Sequence, residues 1–526
     1  MSNLEKDIRS AALQIFGRQI VAESPVPQPA AVKKVFVQNM IAAAEVNRLT
    51  QDWKPTLLSA DGELRYRLRV IRGRSRDLYY NNDYARKFVK LVRANVVGPT
   101  GFNFQSAVVQ PDGTTPDKWA NNTIESEWAL WGKRGSCTVD GRLSWRELCG
   151  VIMETVARDG EVILRKVRNF NNRHRFALQL LEADHLDDTL NREAPGSGNR
   201  INMGVEVDQW GRPIAYHMIT KHPGDYYAYA YTDSFARVRI PADEIIHLYI
   251  QERPEQTRGV PWMATAMGRL NMMGAFEEAA VIAARIGASK MGFYTRSKDA
   301  VAGSLPGDEV TDDGERMTEV EPGVFEELPP GFDFKEFNPR FPDAVFEPFR
   351  KAILKAISSG LYPVAYTSLG SDVESANYSS IRAEVLEGRD AYSAYQSWLI
   401  EHFCEEVFSE FLKFTLLSGV VNLPYSKFDK FNAPRFIPRG WPWVDPLKDE
   451  NANAAAIQNL TKSRIQICAE QGMDFEDVLR DRQREEQLAK QYGISIVPVV
   501  AATASKPEGT ASGSGSGAGA GAGGES

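Results

Sequence analysis

Carboxylates are where chemistry would be sought first in this chain. Asp308, Glu309, Asp312, Asp313, Glu315, Glu319, Glu321, Glu326 and Glu327 crowd into one short stretch. A nuclease working through divalent cations needs such groups, but held with further ligands in a fixed geometry. Here the spacing is irregular, and Pro306, Gly307, Pro322, Gly323, Pro329, Pro330 and Gly331 punctuate it. Pro and Gly at that density predict short strands and turns. The stretch reads as an exposed, strongly negative surface that attracts cations weakly, with no metal and no catalytic site. Asp159-Gly160-Glu161 is a second carboxylate pair. A turn between a helix and a strand accounts for it better than a metal site does.

Other chemistries lack their residues. His174, His185, His217, His222, His247 and His402 are scattered without ligand spacing and read as ordinary core or surface side chains. Cys137, Cys149, Cys404 and Cys468 lie far apart, which suits free thiols in a reducing compartment rather than a disulfide framework. There is no GxxxxGK(S/T) loop, no GxSxG elbow and no HExxH helix. The sequence therefore predicts no cofactor and no enzyme.

What, then, are these residues mounted on? The chain has 526 residues, 43% hydrophobic and 25% charged, which is enough for several cores and a multi-part architecture. Net charge is −7 and the pI about 5.7, which disfavours a tight, sequence-specific grip on nucleic acid. Glu5, Lys6, Asp7 and Arg9 break any signal-peptide core. The most apolar helical stretch, Ala275 to Ala288, is cut by Glu277, Glu278 and Arg285, so no membrane span is expected.

The longest periodic stretch runs from Ser379 to about Leu417. Ile381, Val385, Tyr392, Tyr395, Leu399, Phe403, Val407, Phe411 and Phe414 recur every three or four residues, which places them on one stripe of a helix. At 1.5 Å per residue such a helix is about 55–60 Å long, a strut rather than an ordinary core helix. Before it, a polar segment from Tyr362 to Tyr378 reads as a loop. In chain order, the spacing also predicts helices at Ser75 to Val97, 116–133 and Ser144 to Arg158, the last with a Ser144/Glu147 capping box. Period-two patterns from Glu161 to Ile250 predict a compact β module, a small barrel or bent sheet. Pro261 to Ala288 reads as a small-sided helix suited to close packing, and Pro342 to Ser359 as another. Residues 420–446 read as loop, Glu450 to Cys468 and Asp474 to Tyr492 as helices, and the Gly/Ala/Ser tail as disordered.

Several local patterns then coincide with one family. Val97-Gly98-Pro99-Thr100-Gly101, Asp159-Gly160-Glu161, Trp210-Gly211-Arg212-Pro213 before Tyr216-His217, Glu244-Ile245-Ile246-His247, Arg258-Gly259-Val260-Pro261-Trp262 and Asn377-Tyr378-Ser379-Ser380-Ile381-Arg382-Ala383-Glu384 occur in this order. Together they resemble lambda-like tailed-phage portal proteins from about residue 50 to 490.

The resemblance implies an α+β, mainly α, ring-forming subunit with long stem and tunnel helices and a β-rich wing. It maps a mobile N-terminal segment to 1–30, the wing to 31–260, a first stem helix to 261–290 and the clip to 291–341. A second stem helix falls at 342–361, the tunnel loop at 362–378, and a long helix kinked near Gly388 with a return to the wing at 379–446. The crown is 447–495 and the tail 496–526. It further implies a ring of about twelve copies at the capsid vertex of the virion, assembled in the host cytoplasm. The partners implied are double-stranded DNA passing through, the terminase large subunit, major capsid and scaffold proteins, and head–tail connector proteins. Asp308, Glu309, Asp312, Asp313 and Glu315 would dock partners at the clip. Tyr366, Thr367, Ser368, Ser371 and Asp372 would meet DNA sterically, and Lys351 and Lys355, one helical turn apart, would touch phosphates or else remain solvated stem charges. Two other classes compete: a different virion adaptor, from the head-completion or tail proteins, and a metal-dependent DNA-processing enzyme using the 308–327 carboxylates.

Overall fold

The apolar periods become elements in the computed structural model. It describes residues 56–113, 115–193, 198–225, 236–288, 292–296, 309–310, 316–317, 332–336, 346–372, 377–441 and 446–494. The chain divides into Met1–Leu58 and Ser59–Ser526, and every described helix and strand lies in the second unit. The N-terminal segment, the tail and most of the acidic stretch, including Asp308, Asp312, Asp313 and Glu315, lie outside the described residues.

Ser59 caps α1 (Ala60–Leu64) by accepting from the Gly62 N–H. The helix expected over Ser75 to Val97 is two helices, α2 (Leu68–Asn81) and α3 (Asp83–Val96). Asn82 separates them: its backbone is extended and its side chain accepts from the Ala85 N–H, so it caps the second helix. Strand β1 (Asn103–Ser106) leads to α4 (Lys118–Trp131) and α5 (Trp145–Asp159), which starts at the expected Ser144/Glu147 capping box. Gly160, at φ 89°, closes α5 in the left-handed region and turns the chain into β2 (Glu161–Arg168).

Strands β3 (Phe176–Leu181), β4 (Arg200–Asn202), β5 (Val205–Val207), β6 (Pro213–Ile219), β7 (Arg237–Pro241) and β8 (Ile245–Tyr249) complete the β module. It is not a barrel. A three-stranded sheet, β3-β2-β8, lies apart from a four-stranded one, β4-β5-β6-β7, with antiparallel pairing throughout both. Alternation along β2 explains the two layers. Val162 and Leu164 face the main core, while Ile163 faces a second core with Val205, Val207, Tyr216, Met218 and Ile240. A strand apolar on both faces needs cover on both sides.

The helix expected from Pro261 begins later, as α6 (Met267–Ala288). Residues Pro261 to Ala266 are spent on turns, with Trp262 donating its N–H to the Ala157 carbonyl (3.2 Å). Beyond it, β9 (Gly292–Arg296), β10 (Glu309–Val310), β11 (Arg316–Met317) and β12 (Phe332–Glu336) form two small antiparallel pairs, β9 with β12 and β10 with β11. Then come α7 (Phe346–Gly360), α8 (Tyr366–Gly370) and α9 (Tyr378–Leu399), capped by Asn377 accepting from the Ser380 N–H (2.8 Å). A single π turn, Ile400–Cys404, joins α9 to α10 (Glu405–Leu417), so the long strut is continuous but irregular there rather than at helical Gly388. The proline-rich return contains β13 (Pro434–Ile437), which pairs with β1. The C-terminal helices are α11 (Pro446–Gln458), α12 (Arg464–Glu470) and α13 (Phe475–Gln491). Leu460, at φ 57°, lies in the break between α11 and α12 that divides the helix expected over 450–468.

The main core gathers aromatics from distant segments: Trp128, Trp131, Trp145, Phe176, Phe403, Phe408 and Phe411 are all at most 6% exposed. Trp131 donates its indole N–H to the Phe176 carbonyl (2.9 Å), so its polar atom is satisfied inside. Three of the sequence patterns meet beside this core. Glu161, fully buried, receives Arg258 through both carboxylate oxygens (2.6 Å to Oε1 and 3.0 Å to Oε2), Arg72, the His247 ring (3.0 Å) and the Gly259 N–H (2.9 Å). Burial alone pushes this carboxyl up, yet Arg258 and Arg72 hold it well below the usual range. Burial lowers the His247 ring, with Glu161 acting against it. Asp159, buried next door, takes Arg76 and Arg158. The backbones of Gly160 and Gly259 nearly touch: a Cβ on Gly160 would lie 2.3 Å from the Val260 carbonyl carbon, and one on Gly259 2.2 Å from the Gly160 oxygen. This joint fixes where the chain leaves the β module for α6.

Candidate functional site

Lys351 and the 366–372 segment come together in the structure, at Asp372. α8 replaces part of the expected loop: Tyr366 to Gly370 are helical, and Ser371 ends the turn with a left-handed backbone (φ 53°). That reversal brings Asp372 back over the helix start. The Tyr366 hydroxyl donates to Asp372 Oδ2 (2.7 Å), and Lys351 Nζ reaches the same oxygen (3.2 Å) and Glu347 (2.9 Å). Lys355 Nζ lies 5.3 Å from the centre of the Tyr366 ring, a cation–π contact. Burial, then the bond to Asp372, pushes the Tyr366 phenol up to about 12. Glu347 and Asp372 raise the Lys351 ammonium, so it stays charged.

Two more residues hold the segment down. Thr367 donates to Glu384 (2.7 Å), the last residue of the Asn377–Glu384 pattern. Lys87 of α3 donates to the Leu369 carbonyl (3.2 Å) and the Ser371 hydroxyl (2.6 Å). Of the expected contact residues, Ser368 and Ser371 are exposed, and Tyr366, Thr367 and Asp372 are half-buried. The segment has no cation of its own, but Lys351 and Lys87 supply two. Sequence reasoning missed Lys87 and left it among the solvated charges of its helix. A surface cavity of about 530 Å³ opens beside it, lined in part by Asn82, Tyr84, Glu277 and Gly370. Tyr84 donates to Glu277 across that cavity (2.9 Å) and so ties α3 to α6.

The expected partner-docking residues are represented by Glu309 alone, in β10 opposite Met317 of β11. Elsewhere, Glu182, Asp184 and His222 bring ligand-type atoms within 4.8 Å of one another, which their spacing did not suggest. Arg76 already sits on both carboxylates (2.5 and 3.5 Å), and Arg72 on Asp184 (3.5 Å), so arginine balances the charge a cation would balance. Asp159 and Glu161 are likewise occupied by arginines, as a turn and a structural ion cluster rather than a metal pair. Among the described residues no helix is long and apolar enough to cross a membrane.

The surfaces of the helix pair matter as much as the loop. The α6 stripe Met267, Leu270, Met273 and Ala280 is buried within the chain, and Phe276 stacks on Phe346 of α7 (5.4 Å). On another side Gly268, Met272, Ala275, Ala279 and Ile282 recur every three or four residues and are all exposed.

Comparison with known proteins agrees with the patterns. The sequence profile "Phage portal protein, lambda family" matches residues 46–396. A "Probable portal protein" of Halomonas phage phiHAP-1 is 36% identical over 478 residues, covering 90% of this chain and 91% of that one. A solved chain from the neck of an empty gene transfer agent particle covers 81% of this chain and 98% of its own at 12% identity and a TM-score of 0.42. One from the virion of the native particle covers 77% and 93% at 13% identity and 0.40. Those superpositions are too loose to bear on the geometry above. The profile and the phage relative decide the matter: the chain belongs to the lambda family of phage portal proteins.

Proposed function

We propose that about twelve copies of this chain close into a ring at one capsid vertex, and that double-stranded DNA is packaged and ejected through its centre without sequence preference. Assembly precedes incorporation into the virion and takes place in the host cytoplasm. The observation that carries this is the exposed stripe of α6. Five small or apolar positions, Gly268, Met272, Ala275, Ala279 and Ile282, face away from the chain's own core. A ring needs a heterologous contact that repeats until it closes. The exposed Pro348 and Ala352 of α7 are the complementary surface on the next copy. In this arrangement Lys351, Lys355 and the Tyr366–Asp372 segment line the channel. Lysines there meet phosphates weakly and without reading bases, which lets DNA move.

The acidic stretch with Asp308, Glu309, Asp312, Asp313 and Glu315 repeats around such a ring as a negative collar. Basic faces of the terminase large subunit, and later of head–tail connector proteins, dock on it. Major capsid and scaffold proteins are further partners of the assembled ring. The chain's role is to conduct, and it carries out no turnover itself.

Negative-stain images of the purified chain test this directly. Roughly twelvefold rings with a central hole are expected, and Met272→Glu with Ala279→Glu should abolish them. A wild-type chain that stays monomeric under capsid-building conditions overturns the proposal. Shortening 366–372 should let packaged DNA leak out, and normal retention would remove the segment from the DNA path.

A further inference from the structure

Half of the residues from Arg65 to Arg76 are arginine: Arg65, Arg67, Arg69, Arg72, Arg74 and Arg76, with no acidic residue between Glu63 and Asp77. This is at odds with a chain that is acidic overall, at net −7. The structure sorts the six into two groups. Arg72 and Arg76 point inward and are consumed by Glu161, Asp159 and Asp184. Arg65, Arg67, Arg69 and Arg74 are exposed. Arg65 lies over the ring of Tyr66, itself 82% exposed, and Arg69 pairs with Asp188 at the surface. Arg67 and Arg74 have no ion pair among the described residues. The neighbouring carboxylates are engaged elsewhere: Asp61 accepts from Thr257 and Asn202, Glu63 pairs with Arg253, and Asp77 accepts from Asn81.

We propose that the turn and outer face of α2, through Arg65, Arg67, Arg69 and Arg74, form a docking surface for the phosphate backbone of double-stranded nucleic acid. Three features favour this partner. Every cation in the run is arginine, whose planar fork matches phosphate oxygens two at a time. The helix is held from beneath by the buried Arg72–Glu161 and Arg76–Asp159 pairs, so the outer guanidiniums sit on a rigid platform and little order is lost on binding. From Arg65 to Arg74 the run is about 14 Å long, a length of duplex that carries about eight phosphates on its two strands. This surface is separate from Lys351 and Lys355. Ring images test the channel reading, and duplex affinity of α2 variants tests this one, so either can fail alone.

The test is binding of the full chain to a fluorescent 30-base-pair duplex of mixed sequence, measured by anisotropy across a salt series. R65Q/R67Q/R69Q/R74Q should weaken binding about tenfold or more and reduce the log–log salt slope by about 3–4. R67Q/R74Q removes only arginines without an ion pair, so no native salt bridge is lost, and should reduce the slope by about 2. An R480Q/R482Q/R484Q variant of α13 is the control and should bind within twofold of wild type. Unchanged affinity in the α2 variants, or an equal loss in the α13 control, overturns the proposal. So does loss of rings with circular dichroism unchanged, which makes the face a contact between copies. Polyglutamate competing as well as an unlabelled duplex of equal charge also overturns it, since the partner is then an acidic protein.

Discussion

Glu161 and Asp372 are both carboxylates facing more than one polar partner, yet they do opposite jobs. Glu161 is fully buried and held by two arginines, a histidine and a backbone N–H. Asp372, with a side chain 12% exposed, meets Lys351 and the Tyr366 phenol beside α7. Removing one member of a buried set leaves the others charged and dry, which is costly. Removing one from the second set leaves partners that water can reach. The first arrangement is the costlier to break, and the second can be lost at a smaller cost in stability.

The largest expected effect breaks the joint. Glu161→Ala should destabilise the protein by about 3–5 kcal/mol in urea denaturation, because Arg258 and Arg72 lose their counter-charge. If it costs no more than an Asp372 variant, the contrast is wrong. Next, Gly160→Ala should cost about 2–4 kcal/mol in the same assay, since a left-handed backbone and a Cβ against Val260 and Pro261 are both unfavourable.

A smaller effect comes with pH. Arg239 pulls the Glu206 carboxyl from about 4.5 down to about 2, with burial opposing and Asn199 and His217 assisting. A lowered folded value means that this stability is complete above about pH 4.5 and is lost as pH falls toward 2. Glu206→Gln should therefore flatten the fall in melting temperature over that window, and an unchanged profile would mean other carboxylates dominate it. The smallest change in stability belongs to Asp372→Asn, under about 1 kcal/mol. Amide exchange at 366–372 should nonetheless quicken while that at 161–164 does not.

Local signals were well written in the sequence. The Ser144/Glu147 box, the strand at Phe176 to Leu181 and the helix stop at Gly160 follow from side chains a few residues apart. The Asn82 break was hidden because Val89, Val92 and Val96 keep a helical period on one side of it, and a single cap interrupts a pattern without erasing it. The late start of α6 was hidden too: Pro261 suits a first helical position, but Gly259 must lie against Gly160, and that contact keeps Pro261 to Ala266 in turns. At the candidate site, the sequence singled out Lys351 by its spacing but gave no sign of the contacts of Lys87. Its partners, Leu369 and Ser371, lie far along the chain, and long-range pairs leave no period to read. The two roles of the α2 arginines were illegible for a related reason. Which guanidiniums turn inward depends on Glu161 and Asp184, brought to them only by the fold.

The π turn at Ile400–Cys404 carries a last consequence. Leu399, Phe403, Val407 and Phe411 follow one another at steps of four, and all are fully buried. On a regular helix of 3.6 residues per turn, each such step overshoots the previous direction by about 40°. Admitting one additional residue at a single turn, with the Glu405 N–H reaching back to the Ile400 carbonyl, resets the phase by about 100°. Two lengths of rod with different clocks thus aim at one target, and their alignment is stored in a surplus of one amino acid.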